Sequence, residues 1–177
     1  MAVGRVHLGS SFGPGSDLVS TVAPVADVVD ESAIRAALSE VTDPEIPTIS
    51  IVDLGIVHRA DVGSDGAIRV ELLPTFVGCP AIELIRSAVS DRLQTFGRPV
   101  EVSVSFEVPW TSDRISPEGR ERLRRSGFAP PGDLAAVHCP FCDSSRVAMD
   151  SIFGPTLCRS LFYCRDCRQP FEAFKPI

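Results

Sequence analysis

The hydrophobic and polar positions that follow Asp30 predict one amphipathic helix and then a long ordered loop. Apolar side chains recur at spacings of three and four residues, which places them on one face of a helix. Asp30 is suited to cap this helix, and the proline after Asp43 to end it, so the helix is expected to run to about Val41. Residues 45–55 hold two prolines and show no clean period, which predicts a loop.

Alternation of apolar and polar residues predicts three strands further along the chain. The first two, at about 56–62 and 67–74, form a hairpin around a turn that contains two glycines. A second helix is expected between Pro80, as its first residue, and Gly97. The third strand covers about 100–108, where Val and Phe alternate with Glu and Ser. The order α-β-β-α-β predicts a small α+β domain, a mixed sheet with helices on one face.

The chain is expected to divide into four parts. Residues 1–27 are rich in Gly, Ser, Pro and Val without a sustained period, which predicts a mobile, disordered tail. The α+β domain takes residues 28–108. A connecting segment with a short basic helix takes 109–137, and a cysteine-rich second module takes 138–177.

Charge and hydropathy exclude some classes of function. The chain has 177 residues and a formal net charge of −6, from 17 Lys and Arg against 23 Asp and Glu. This balance disfavours a nucleic-acid-binding protein, because phosphate binding needs a basic face. No apolar run approaches the roughly 20 residues that span a bilayer, and residues 1–20 lack the apolar core of a signal peptide. The expected location is therefore the cytoplasm.

The cysteines carry the strongest chemical signal. Five of the six lie in the second module, and four of these form Cys-x-x-Cys pairs. Two intervening residues let both thiolates of a pair converge on one ion, so two pairs make a tetrahedral four-sulfur shell. The pairs are Cys139 with Cys142 and Cys164 with Cys167, and residues 143–163 between them leave room for a β-hairpin. The second module is therefore predicted to be zinc-ribbon-like.

The ion and the fifth thiol leave alternatives open. Zinc is the expected ion for this spacing, and a module with so small a core would depend on it for folding. Cys158 and His138 lie nearby in sequence, so an iron–sulfur cluster is the alternative. Cys158 is expected to be a small buried residue of the hairpin, with an extra metal ligand as the other interpretation.

Cys79 is the candidate reactive residue of the first domain. It directly precedes Pro80, so the amides and dipole of the second helix are expected to lower its pKa and favour a nucleophile or an iron ligand. The alternative is a buried structural cysteine. Glu45, Asp53 and Thr75 offer oxygen ligands nearby, unless they only satisfy turn amides. No Ser-His-Asp arrangement or phosphate-binding glycine loop is present, so the residues do not indicate a hydrolytic or nucleotide-dependent enzyme.

Two motifs of the first domain resemble the signature of the small iron–sulfur assembly domain found in cytosolic cluster-targeting factors and related bacterial proteins. They are Asp43-Pro44-Glu45-Ile46-Pro47 with Ser50-Ile51-Val52-Asp53-Leu54-Gly55, and Pro74-Thr75 with Gly78-Cys79-Pro80. The rest of the chain resembles one subgroup, the accessory subunits of ring-1,2-phenylacetyl-CoA epoxidases. That likeness is carried by Pro109-Trp110-Thr111, Ile115-Ser116-Pro117-Glu118-Gly119, Ala129-Pro130-Pro131, Phe153-Gly154-Pro155-Thr156 and Pro170-Phe171.

The resemblance implies a non-catalytic accessory role in aerobic phenylacetate degradation. Such a protein would help to mature the epoxidase by delivering an iron–sulfur cluster or iron, chiefly to the reductase that carries a flavin and an iron–sulfur cluster. By position, Cys79 would be the transfer ligand, Asp53 and Thr75 would line the same pocket, and Glu45 would lie at its rim. The implied cofactors are structural zinc in the second module and a transient iron–sulfur cluster. The implied partners are the other epoxidase components, with a homodimer as a further arrangement.

Two other functions compete with this one. The first is an electron-transfer subunit that keeps a stable iron–sulfur cluster in the four-cysteine site. The second is a zinc-ribbon module that binds a partner protein or nucleic acid, against which the acidic charge already counts. A run of arginines in the short basic helix is expected to be a solvated face, with docking to an acidic partner as the alternative.

Overall fold

A computed structural model describes Met1 and residues 29–177, so the predicted tail at 1–27 lies outside the described residues apart from Met1. The described part forms two sheets and three α-helices. In chain order these are α1 (Glu31–Leu38), β1 (Val57–Val62), β2 (Ile68–Leu72), α2 (Ile82–Gln94), β3 (Val100–Val104), α3 (Pro117–Arg125), β4 (Phe128–Ala129), β5 (Val147–Ser151), β6 (Arg159–Cys164) and β7 (Pro170–Phe174).

The first sheet is mixed, as predicted, with the strand order β1-β2-β3. β1 and β2 form an antiparallel hairpin, and α2 crosses over to β3, which pairs parallel to β2. α1 contacts β1 and α2, and α2 contacts β3, so both helices cover the same face of the sheet. The buried side of β2 presents Ile68, Val70 and Leu72 to this core. The α+β fold class is therefore confirmed.

The first helix begins where its cap predicts and ends early. The Asp30 carboxylate accepts a hydrogen bond from the backbone N–H of Ala33 at 2.8 Å. The helix ends at Leu38, three residues before the predicted end, and Val41 follows in a turn. Val41 is still buried, and its carbonyl accepts the N–H of Ile51, which holds the following loop against the core.

Two predicted boundaries are wrong, and each has a local cause. α2 begins at Ile82 with Ala81 as its N-cap, so Pro80 lies in the turn before the helix and not at its first position. β3 ends at Val104 because its partner β2 ends at Leu72, so the residues after Val104 have no neighbouring strand to pair with. Phe106, predicted to lie on the buried face of the strand, is 62% exposed.

The second sheet has the order β4-β7-β6-β5 and forms the cysteine-rich module. β5, β6 and β7 are antiparallel neighbours, while β4 comes from the segment before the cysteines and pairs parallel to β7. Phe162 and Phe171 stack in its small core with ring centroids 5.6 Å apart. Phe174 instead joins the core of the first domain, so the two modules share packing.

α3 connects the two modules. Ser116 caps it by accepting the N–H of Gly119 at 2.9 Å, with proline as the first helical residue. A Cβ on Gly119 would lie 2.6 Å from the Asp53 carbonyl oxygen, so the close approach of helix and loop requires glycine. Within the described residues, no helix has both the length and the apolar character needed to cross a membrane.

The arginines of α3 have partners within the chain. Arg120 donates to the carbonyl oxygens of Ser112 and Pro131 at 2.7 and 2.8 Å. The other three pair with acidic groups: Arg122 with Asp53, Arg124 with Asp143 and Arg125 with Glu121. The side chains of Arg122, Arg124 and Arg125 are 55%, 45% and 77% exposed, so the helix has the predicted solvated face. Arg120 holds the helix to the segments before and after it.

Candidate functional site

The first thiol centre is the four-cysteine cluster of the second module. All four Sγ atoms lie within 4.8 Å of one another, and the Cys139–Cys167 and Cys142–Cys164 pairs are each 3.6 Å apart. A tetrahedral ion with metal–sulfur bonds of about 2.3 Å holds its sulfurs about 3.8 Å apart. The cluster therefore fits one zinc ion held by four thiolates.

Both Cys-x-x-Cys turns have the same backbone construction. The residue after each pair adopts a left-handed conformation, Asp143 at φ 62° and Arg168 at φ 59°. Backbone N–H groups inside the turns point at the sulfurs: those of Cys167 and Asp166 lower the pKa of Cys164 to about 7. Burial instead raises the pKa of Cys139, and that of Cys167 to about 12, so of these three thiols Cys164 alone is shifted towards the thiolate that a metal ion requires.

The second thiol centre is a cavity of about 210 Å³ between the two modules. Such a volume exceeds the roughly 30 Å³ that one water occupies in the liquid. Its polar and thiol-bearing lining residues are Asp43, Glu45, Thr75 and Cys79 from the first domain, and Thr156, Cys158 and Arg159 from the second module. The cavity thus depends on the docking of one module against the other.

Cys79 lies half-buried in the turn that precedes α2. Burial raises the pKa of its thiol above the ordinary value, and hydrogen bonds from the Ala81 N–H and the Thr75 hydroxyl only partly offset this. The predicted lowering of the Cys79 pKa is therefore wrong. The helix starts three residues later, at Ile82, and desolvation outweighs the amides that reach the sulfur.

The raised pKa of Cys79 gives a testable consequence for the metal-free cavity. We expect the midpoint of the pH dependence of iodoacetamide alkylation at Cys79 to be higher in the folded chain than in the urea-unfolded chain. The reason is that alkylation requires the thiolate, which burial disfavours. Mass spectrometry of the Cys79 peptide across a pH series gives both midpoints. A lower midpoint in the folded chain would contradict this account.

Glu45 and Arg159 form one wall of the cavity. Arg159 contacts Glu45 with one nitrogen and Glu172 with another, the latter at 2.8 Å, and its guanidinium lies 5.4 Å from the Phe128 ring centroid. The Arg159 side chain is only 7% exposed, and the attraction of Glu172 and Glu45 raises its pKa. This buried charge cluster ties the loop that contains Glu45 to the second module.

Two predicted site residues occupy other places than expected. Asp53 does not line the cavity: its carboxylate accepts from the Ser116 hydroxyl at 2.9 Å and the Ser50 hydroxyl at 3.0 Å, at the start of α3. Cys158 is not part of the four-sulfur cluster, nor simply a buried residue of the hairpin, but lies in the cavity wall with Cys79. The binding roles of Cys79, Thr75 and Glu45, which the cavity does bring together, stay predictions.

Sequence reasoning missed Asp43 as a cavity residue. Its carboxylate accepts the N–H groups of Glu45 and Ile46 at 2.8 and 3.0 Å, and burial raises its pKa. The sequence indicates this residue as part of a helix stop and of the first motif, but not as a lining residue of a site. No spacing in the sequence links Cys79 to Cys158 either, because their proximity arises from module docking alone.

Comparison with known proteins identifies a matching family for each module. Residues 31–106 match the family of iron–sulfur cluster assembly proteins, and residues 125–175 match the PaaD zinc beta ribbon domain. A 1,2-phenylacetyl-CoA epoxidase component of Escherichia coli is 39% identical over 152 residues, which cover 81% of this chain and 92% of that protein. This chain belongs to the PaaD family. The ribbon match and the spacing of the four sulfurs together identify the second module as a zinc ribbon.

Other relatives match about half of this chain. A crystal structure of a domain of unknown function, DUF59, from Bacillus anthracis is 30% identical, with a TM-score of 0.49 over 52% of this chain and 90% of that one. The Fe-S protein maturation auxiliary factor of Porphyromonas gingivalis is 34% identical over 95 residues, 52% of this chain and 90% of that protein.

Proposed function

We propose that this chain is a non-catalytic maturation factor of the phenylacetyl-CoA epoxidase system in the cytoplasm. It holds an iron–sulfur cluster or iron on Cys79 and passes it to the oxygenase or reductase components, chiefly the iron–sulfur flavin reductase. The observation that carries this proposal is the position of Cys79. It is a free thiol in an open cavity, inside the segment that matches iron–sulfur cluster assembly proteins.

The chemistry of the cavity suits a cargo that must be released. A thiolate binds iron as a soft ligand, and four thiolates on one centre hold it permanently. The cavity offers fewer thiols than the ribbon, within a wall that also contains carboxylates and hydroxyls. Those oxygen groups are weaker partners for a cluster than sulfur, so exchange with an acceptor's thiolates is feasible.

The electron-transfer alternative places a stable cluster in the ribbon. The 3.6 Å sulfur spacing there corresponds to ligands on one ion, whereas a cluster with several irons separates its cysteines onto different atoms. The nucleic-acid alternative needs a basic face, but the exposed arginines of α3 each lie beside an acidic side chain, in a chain with a net charge of −6. Both alternatives are therefore weaker than maturation.

The maturation role is tested by Cys79→Ser as the only copy of the protein in cells that express the epoxidase components. We expect the reductase purified from these cells to lose its iron and acid-labile sulfide, because the cargo ligand is gone. The matched control is Ser87→Ala on the exposed side of α2, which should leave the cluster content unchanged. A reductase with its full cluster in the presence of Cys79→Ser would overturn the proposal.

A further inference from the structure

The inter-module cavity contains two thiols that come from different modules. Cys79 belongs to the turn before α2, and Cys158 directly precedes β6 of the ribbon. Both are free and half-buried. Each also has a threonine hydroxyl within hydrogen-bonding reach of its sulfur, Thr75 for Cys79 and Thr156, at 3.2 Å, for Cys158. The two cysteines thus line one cavity, and each has a threonine hydroxyl beside its sulfur.

The backbone around Cys158 is fixed by close contacts. Its carbonyl accepts the N–H of Lys175 at 2.9 Å, which continues the pairing of β6 with β7. In the loop before Cys158, the N–H of Gly154 donates to the Arg159 carbonyl at 2.9 Å. A Cβ on Gly154 would lie only 2.9 Å from Arg159 backbone atoms, so the loop packs closely against Arg159. The next residue, Arg159, is anchored to Glu45 of the first domain. The backbone on both sides of Cys158 is therefore held in place where this residue lines the cavity.

We propose that Cys158 is a second thiolate ligand for the iron or iron–sulfur cargo held by Cys79, so that the cavity is a two-thiolate site built from both modules. This inference rests on the proposed function. On binding iron, each thiol gives its proton to solvent and donates a lone pair to the metal, with no change in oxidation state.

Two thiolates match the coordination chemistry of a binuclear cluster. In a [2Fe–2S] cluster four cysteines bind two irons, so each iron takes two thiolates besides the bridging sulfides. Cys79 and Cys158 would complete one iron and leave the second for the thiolates of an acceptor. The ribbon then does more than bind its own zinc ion, because it supplies one of the two thiolates of the proposed carrier site.

The first test is anaerobic reconstitution with ferrous iron and sulfide, followed by iron, sulfide and zinc analysis. The zinc-loaded wild type is compared with Cys79→Ser, Cys158→Ser and, as a control in the same module, Ile152→Ala, which replaces an exposed residue outside the cavity lining. We expect both cysteine variants to lose at least about tenfold in iron affinity, the scale seen when even an outer-shell partner is removed. Their zinc content should stay equal to that of the wild type, and Ile152→Ala should bind iron normally.

The outcomes separate this inference from the proposed function. Iron bound normally by Cys158→Ser but not by Cys79→Ser would overturn the second ligand and leave the maturation role standing. No iron bound by the wild type would overturn both. Loss of iron in both variants, with zinc retained, would support both.

A second measurement needs no variant to fold. Phenylarsine oxide reacts with two neighbouring thiols to form two As–S bonds and release one water. We expect zinc-loaded wild type to take up one equivalent, with Cys79 and Cys158 both protected from later alkylation in peptide mass spectrometry. Uptake without joint protection of these two residues would show that their sulfurs do not converge, and would overturn the inference.

Discussion

Replacing Arg159 with alanine is expected to lower the free energy of unfolding by about 3 kcal/mol. Removing one member of a buried ion cluster typically costs this much, because the remaining charges lose their partner. Here the guanidinium is 7% exposed and faces both Glu45 and Glu172, so its removal leaves two carboxylates close together between the modules. Urea denaturation of the zinc-loaded chain, followed by circular dichroism, measures the change.

The matched control for Arg159 is Arg146→Ala. Arg146 also belongs to the ribbon and pairs with an acid, Asp166, at 2.9 Å, but its side chain is 72% exposed. Exposed pairs contribute about 1 kcal/mol at most, so this variant should unfold close to the wild type. Equal and small effects of the two substitutions would contradict the description of Arg159 as the tie between the modules.

Replacing Cys142 with serine is expected to unfold the zinc ribbon. The ribbon buries few side chains of its own, and structural zinc contributes on the order of 10 kcal/mol to such modules. Serine cannot supply the fourth thiolate, so zinc should be lost and the amides of residues 138–177 should exchange rapidly. Zinc analysis and hydrogen exchange by mass spectrometry check both parts of this prediction.

Cys158→Ser is the control for Cys142→Ser. Both changes replace a cysteine of the second module, but Cys158 lies outside the four-sulfur cluster. It should keep zinc and slow exchange across the ribbon. Retained zinc and unchanged exchange in Cys142→Ser would contradict the four-thiolate site, and zinc loss in Cys158→Ser would contradict the division into two thiol centres.

Local patterns predicted most of the fold. The cap at Asp30, the alternating strand β2 and the paired cysteines are all encoded within a few residues, where local backbone geometry decides the structure. The end of β3 was mispredicted because its alternation continues past the point where the partner strand stops. Strand length depends on the neighbour, which the pattern of one strand does not contain.

The arrangement of the candidate site depends more on contacts between distant segments than the secondary structure does. Cys79 was found from its motif, but its pKa was predicted in the wrong direction, because desolvation of the thiol outweighs the nearby amides. The Asp53 carboxylate accepts a hydrogen bond from the nearby Ser50 hydroxyl and one from the Ser116 hydroxyl at the start of α3. The second is a contact between segments far apart in sequence. Cys158 lines the cavity only because the two modules pack against each other. Each of these outcomes follows from a long-range contact.

The two thiol centres divide the chemistry of the chain. The ribbon cluster is complete, with four thiolates at single-ion spacing, and suits a permanent structural ion. The cavity has free thiols, an opening to solvent and a mixed polar wall, and suits a transient cargo. Because Arg159 joins the ribbon to the cavity wall, the stability of the zinc site also supports the geometry of the proposed carrier site.

Iron, acid-labile sulfide and zinc content of protein purified without oxygen tests the central claim most directly, with wild type and Cys79→Ser compared. We predict a single zinc ion per chain in both proteins, and iron with sulfide only where Cys79 is intact. Iron and sulfide retained in Cys79→Ser would place the cluster in the ribbon, and would contradict the assignment of the cavity as the carrier site.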